Sequence, residues 1–155
     1  METSSQTSIL VKGFKFCWYP TDEGENLEEA VFKESNRVGI KRLSAILLLE
    51  NCIVAVRLLS SGELIYPRDF RRIVSKTNLS LFELRIRMPL TGGMDQARLY
   101  FTLVESHQLA VGLVIRFKRL AGRRDQIRDW QNEDIEQAAR IQNHALAERF
   151  KKCLG

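Results

Sequence analysis

The chain is poor in the residues that build metal and redox sites, and no apolar run in it is long enough to cross a bilayer without interruption. Its three cysteines, Cys17, Cys52 and Cys153, are odd in number, far apart and form no C-x-x-C pair. That argues against a zinc site or a disulfide framework, and for a reducing compartment. The two histidines, His107 and His144, have no metal-ligand spacing and read as ordinary surface residues. No metal and no cofactor is expected. The longest apolar stretch, residues 43–59, is broken by Glu50, Asn51 and Arg57, short of the ~18–20 residues a span needs, and reads as a buried helix. Residues 1–8 hold one acid, no Lys or Arg, and several Ser, Thr and Gln, unlike a secretory leader. The expectation is a cytoplasmic protein that does not engage a membrane. The absence of a P-loop, a nucleophile elbow and a G-x-G-x-x-G leaves nucleotide-binding and serine-hydrolase readings without support.

What is present is enough for one domain. With 155 residues, 45% of them hydrophobic, the chain can build a core without metal or disulfide support. The reading is a flexible tail over residues 1–10 and a single domain over 11–155. Charge is unevenly spread. Residues 69–128 carry twelve Lys or Arg against five Asp or Glu, while residues 1–68 carry eight against nine. A basic middle third suits a polyanion, or equally a soluble basic surface.

Periodicity places the elements. Phe14, Phe16 and Trp18 alternate with Lys15 and Cys17, which predicts a strand over residues 11–18. Tyr19-Pro20 ends it, and the acidic run from Asp22 to Glu29 suits the opening turn of a helix over 26–36. A second helix is expected over 39–59, apolar on most sides and so packed on both a sheet and the first helix, closed by Gly62. Residues 65–77, with Tyr66-Pro67 and the cations Arg68, Arg71, Arg72 and Lys76, read as an irregular surface segment that tracks phosphates. Residues 81–88 alternate strictly, Phe82, Leu84 and Ile86 against Glu83, Arg85 and Arg87. A glycine turn, a strand over 98–104, a tight connection at 106–108 and a strand over 109–119 complete an antiparallel meander. Asn132 is the expected N-cap of a last helix with the stripe Ile135, Ala138, Ala139, Gln142, Ala145, Leu146 and Arg149.

Because side chains alternate across a strand, the polar face of the meander gathers Arg85, Arg87, Arg98, Tyr100, Arg116 and Lys118. Five cations so close repel one another unless an anion neutralises them, and a phosphate backbone is a natural counter-charge. Glu83, Asp95 or Glu105 could pair with some of them instead.

The order of these motifs carries a family resemblance. Phe82-Glu83-Leu84-Arg85, then Arg98-Leu99-Tyr100-Phe101, then a strand ending Phe117-Lys118-Arg119, then Glu133-Asp134-Ile135-Glu136-Gln137-Ala138 resembles the C-terminal half of RelE- and HigB-type toxins, over about half the chain. The resemblance implies a RelE-like α+β fold: an antiparallel sheet of an N-terminal strand plus a three-stranded meander, packed on two N-terminal helices and followed by a C-terminal helix. It implies a metal-independent endoribonuclease that cleaves mRNA, usually on the ribosome, and is silenced by an antitoxin protein. Arg85, Arg98 and Lys118 match the family's catalytic basics, with Tyr100 a further acid-base candidate. Arg87, Arg116, Arg119, Arg71 and Arg72 would hold RNA. The sequence has Glu83 where RelE has a lysine, and Val114 where HigB-like members often carry a histidine. A gyrase-inhibiting ParE-like toxin and a non-catalytic RNA-binding relative are the competing readings.

Overall fold

A computed structural model describes residues 11–73, 81–87, 95–117 and 124–154; the expected tail at 1–10 lies outside them, as do Lys118 and Arg119. Strand β1 (Lys15–Trp18) opens the fold, with Phe14 and Trp18 buried on one face as the alternation predicts. Helix α1 (Leu27–Val38) follows because Asn26 caps it, its side chain accepting from the Glu29 N–H at 2.8 Å, and because Glu28 and Glu29 complement the first-turn dipole. Helix α2 (Arg42–Ser61) buries the stripe Ala45, Leu48, Cys52, Val56 and Leu59 and ends at Gly62, whose φ of 77° is left-handed.

The segment expected to be irregular contains a short strand, β2 (Phe70–Arg72), which pairs antiparallel with β3 (Leu81–Arg87). Three residues are too few for alternation to show. Strand β4 (Asp95–Val104) turns through a 3₁₀ segment, Glu105–His107, into β5 (Leu109–Phe117). Helix α3 (Arg124–Ala147) starts eight residues before the expected cap at Asn132, because Ile127, Trp130 and Asp134 already continue the helical period of Ala138, Ile141 and Ala145. Leu146, placed in the expected stripe, is exposed, and Ile141, left out of it, is buried. A last short helix, α4 (Lys151–Leu154), follows two left-handed residues, Arg149 and Phe150.

The sheet order is β1-β5-β4-β3-β2. It is mixed rather than antiparallel, because β1 runs parallel to β5. A parallel pair needs a long crossover, and the two helices after β1 begin it. Helices α1 and α2 cover one face, over Phe82, Leu84, Ile86, Leu99, Phe101 and Ile115. Helix α3 covers the other, over Tyr100, Val111, Leu113 and Val114. The two faces of β5 stay consistent through a bulge: Tyr100 is opposite Val114 but Phe101 is opposite Gly112, which leaves Leu113 as the extra residue. Buried Gln142 of α3 donates to Thr102 of β4 at 3.0 Å.

Gly112 is where β1 presses on β5. A Cβ there would lie 2.5 Å from Phe16 Cζ and 3.0 Å from Trp18 Cε3. Gly112→Ala is therefore expected to cost about 1–3 kcal/mol of overpacking, visible as a lower urea midpoint at unchanged slope.

The cysteine expectation is corrected. Cys17 and Cys153 form a disulfide across 136 residues of sequence, with Cα atoms 6.0 Å apart. Alternation in β1 points Cys17 away from Phe16 and Trp18, and the left-handed turn at Arg149 and Phe150 brings α4 over that face. Sequence spacing carries no signal of such an encounter. Cys52 is buried in the core, and burial pushes its thiol up to about 12.

Candidate nucleic-acid interface

The register sets Arg85 opposite Arg98, and Arg98 opposite Arg116, in one row across β3, β4 and β5. Glu83 is opposite Tyr100 in the next row. Alternation thus brings Arg85, Arg98, Tyr100 and Arg116 together on one face, and the structure adds their surroundings, which the sequence did not disclose.

The Arg116 end of the row is closed. Helix α3 lies over it, and Arg116 donates to both carboxylate oxygens of Glu23 at 2.8 Å, with Asp134 at 3.5 Å and Glu34 at 4.0 Å. Burial pushes the Glu23 carboxyl up, but the hydrogen bond and charge of Arg116, with a further bond from Gln137, overcome it and hold the group below the usual carboxylate range. Burial lowers and Glu23 raises the Arg116 guanidinium, with a net rise. Arg116 is therefore the centre of an ion network that joins β5 to α1, α3 and the chain just before α1. The Glu34 carboxylate also takes the Phe117 N–H at 2.9 Å and two bonds from Arg37. Tyr100 beside it is 1% exposed. Burial above all, then the charge of Glu83, drives its phenol well above the ordinary tyrosine range. A base that must ionise near neutral pH cannot be this tyrosine.

The β2–β3 end is different. Glu83 is 2% exposed, and three guanidiniums converge on it: Arg71 at 2.6 Å, Arg98 at 3.7 Å and Arg85 at 3.8 Å. Arg85 also donates to the Arg68 carbonyl at 3.0 Å, and Arg87 to Asp69 at 2.9 Å. Burial raises the Asp69 carboxyl, but bonds from Arg68, the Ile65 N–H and Arg87 bring it below its ordinary value. Arg72, on the edge strand, lays its guanidinium over the Phe82 ring at 5.7 Å. Arg98 shares with Arg85 a buried Nε that makes no hydrogen bond, but is the less exposed of the two. Its side chain is 13% exposed, and its contact with Glu83 is long.

Contrary to expectation, these cations need no phosphate to be tolerated, because Glu83, Asp69, Glu23, Glu34 and Asp134 supply counter-charge within the fold. Of these only Glu83 lay in the alternating pattern of its own strand. Glu23 and Asp134 are remote in sequence from Arg116, and no local spacing marks them. Arg98 and Arg116, with Tyr100, Trp130, Gln131 and Asp134, line a small recess between the sheet and the start of α3. Lys118 and Arg119 are outside the described residues. Among the described residues no group of His, Cys, Asp or Glu could hold a metal ion. His107 is exposed beside Ser106, and His144 faces Glu148 at 3.3 Å. No protein family matches the chain, and no curated protein matches it in sequence.

Proposed function

We propose that this protein acts on RNA as a RelE-type toxin of a toxin–antitoxin pair, binding a backbone phosphate with Arg98 and its cross-strand neighbour Arg85. Arg98 carries the reading: a largely buried guanidinium with an unsatisfied Nε and only a long contact to a carboxylate it shares with two other arginines. A phosphate would meet the terminal N–H groups of that guanidinium, since the buried Nε faces Glu83, and the planar fork of arginine suits phosphate geometry. In 2′-hydroxyl attack on the adjacent phosphate, such an arginine stabilises charge on the pentavalent intermediate. Arg71 on the edge strand would extend the track and Arg87 would support it, whereas Arg72, expected to hold RNA as well, lies over Phe82 on the opposite face of the sheet. On this proposal the chain works on mRNA at the ribosome, and an antitoxin protein masks this face; the cytoplasmic location this implies requires that the Cys17–Cys153 disulfide form there despite the reducing conditions.

One observation favours a second reading. The buried phenol of Tyr100 cannot move the proton, so a relative that binds RNA without cutting it fits the described residues equally well. Expression of the wild type beside an Arg85→Ala, Arg98→Ala variant separates the cases. Growth arrest and transcript cleavage should fall by about 100-fold or more in the variant; equal arrest and equal cleavage by both proteins would sink the proposal. Salt-sensitive RNA binding by the wild type without cleavage selects the non-catalytic reading. Arrest with intact mRNA and inhibited gyrase selects the ParE-like one.

A further inference from the structure

Helix α2 packs on the sheet and on α1 as expected, but it is not the buried helix its composition suggests, because one apolar side stays exposed. It is 20 residues long and apolar enough by length and composition to cross a membrane, yet only 22% of its apolar window is buried. The stripe opposite its core-facing side consists of Leu43, Ile46, Glu50, Ile53, Val54 and Arg57, with Leu43 71% and Val54 50% exposed. Isolated exposed apolar residues are ordinary, but these four recur at helical spacing on one surface.

We infer that the part of this stripe from Ile46 to Arg57 is the contact between two copies of the chain, packed antiparallel about a two-fold axis between Ile53 and Val54, with Leu43 at its rim. The two charges in the stripe select that occupant and that register. Glu50 and Arg57 stand two turns apart, about 10.5 Å along the helix, too far to pair within one chain. In an isologous antiparallel pair centred between residues 53 and 54, Glu50 of each copy meets Arg57 of the other, twice, while Ile53 meets Val54. A parallel arrangement sets Glu50 on Glu50 and Arg57 on Arg57, and an antiparallel one centred on either charge does the same at its centre. Like charges in contact exclude both. A bilayer would have to bury both charges without a partner, which a second copy does not require. The stripe is on the α2 layer, away from the arginine row, so dimerisation leaves the proposed RNA face open.

Sedimentation equilibrium on the full chain tests the inference. The wild type should be a concentration-dependent dimer. Glu50→Arg and Arg57→Glu should each weaken it by at least about tenfold, and the two changes combined should restore it, since the reversed pair has the same complementarity. All these positions face solvent, and circular dichroism verifies that each variant is folded. A wild type that is monomeric throughout, a dimer indifferent to the single reversals, or a doubly reversed protein as weak as either single variant overturns the proposal. So does a monomer that co-sediments with phosphatidylcholine–phosphatidylserine vesicles through this stripe.

Discussion

Arg116→Met should unfold at a markedly lower urea concentration, with a loss of about 3–5 kcal/mol, while Arg98→Met should lose far less. Both arginines occupy the same row of the sheet, Arg98 expected as a catalytic cation and Arg116 as an RNA-holding one. They differ in what surrounds them. Removal of Arg116 leaves Glu23, Asp134 and Glu34 gathered around an apolar side chain, so the cost combines lost attraction with the desolvation and mutual repulsion of the remaining carboxylates. Removal of Arg98 relieves a crowded guanidinium whose Nε has no acceptor. The sign of the pH dependence gives a second readout. Glu23 is held below its unfolded value by Arg116, so the stability it contributes is present above the unfolded carboxylate pKa, near ~4.3, and is lost as pH falls through the folded value. In Arg116→Met that contribution to acid sensitivity should vanish, and Glu23→Gln should recover part of the stability. If Arg116→Met unfolds at the wild-type midpoint, the network has no structural role and the residue returns to the pool of RNA-binding candidates.

Reduction of Cys17–Cys153 is expected to have an effect of comparable size. A crosslink that closes a loop of 136 residues removes much of the freedom of the unfolded chain, which the chain-entropy account puts at about 4–5 kcal/mol. The folded side of the balance also changes. Phe150 is buried and packs edge-on against Tyr19, whose hydroxyl donates to Glu148. Burial, then the Glu148 bond and charge, push the Tyr19 phenol up to about 12, so this bond survives through neutral pH. The turn that delivers Phe150 uses two left-handed non-glycine residues, each costing about 1 kcal/mol, and the crosslink helps to hold it. Urea unfolding with and without dithiothreitol, repeated on Cys153→Ser, measures the term. The wild type should drop to the stability of the variant on reduction, and the variant should not respond; Cys52, sealed in the core, should not contribute.

Local rules read out of the sequence where local physics decides the outcome. Asn26 and the following acids mark the start of α1, Gly62 marks the end of α2, and strict alternation in β3 assigns every side chain to its face. Those rules also put Arg85, Arg98, Tyr100 and Arg116 together. They failed where an interaction joins distant positions. Three residues of β2 have no period of their own and form a strand only because β3 offers an edge. The parallel alignment of β1 depends on where the chain returns, and the disulfide on where the last turn points. The carboxylates on Arg116 come from residue 23 and from two helices. Arg116, with the most long-range carboxylates, therefore departs furthest from the expected free cation, and Arg98, whose ion pair stays within its own sheet, departs least.

The bulge at Leu113 acts on the face as a frameshift acts on a reading frame. Upstream of it, odd-numbered residues of β5 such as Val111 face α3; downstream, even-numbered ones such as Val114 and Arg116 do. Without that one extra residue the two segments would be out of phase, and Arg116 could meet Glu23 and Asp134 only by turning Val111 and Leu113 toward α1 and α2. The sign of charge that this sheet presents beneath α3 is thus fixed by the length of a strand as much as by the arginines on it. A sequence comparison that tolerated a gap at this point would align the same residues and describe the opposite surface.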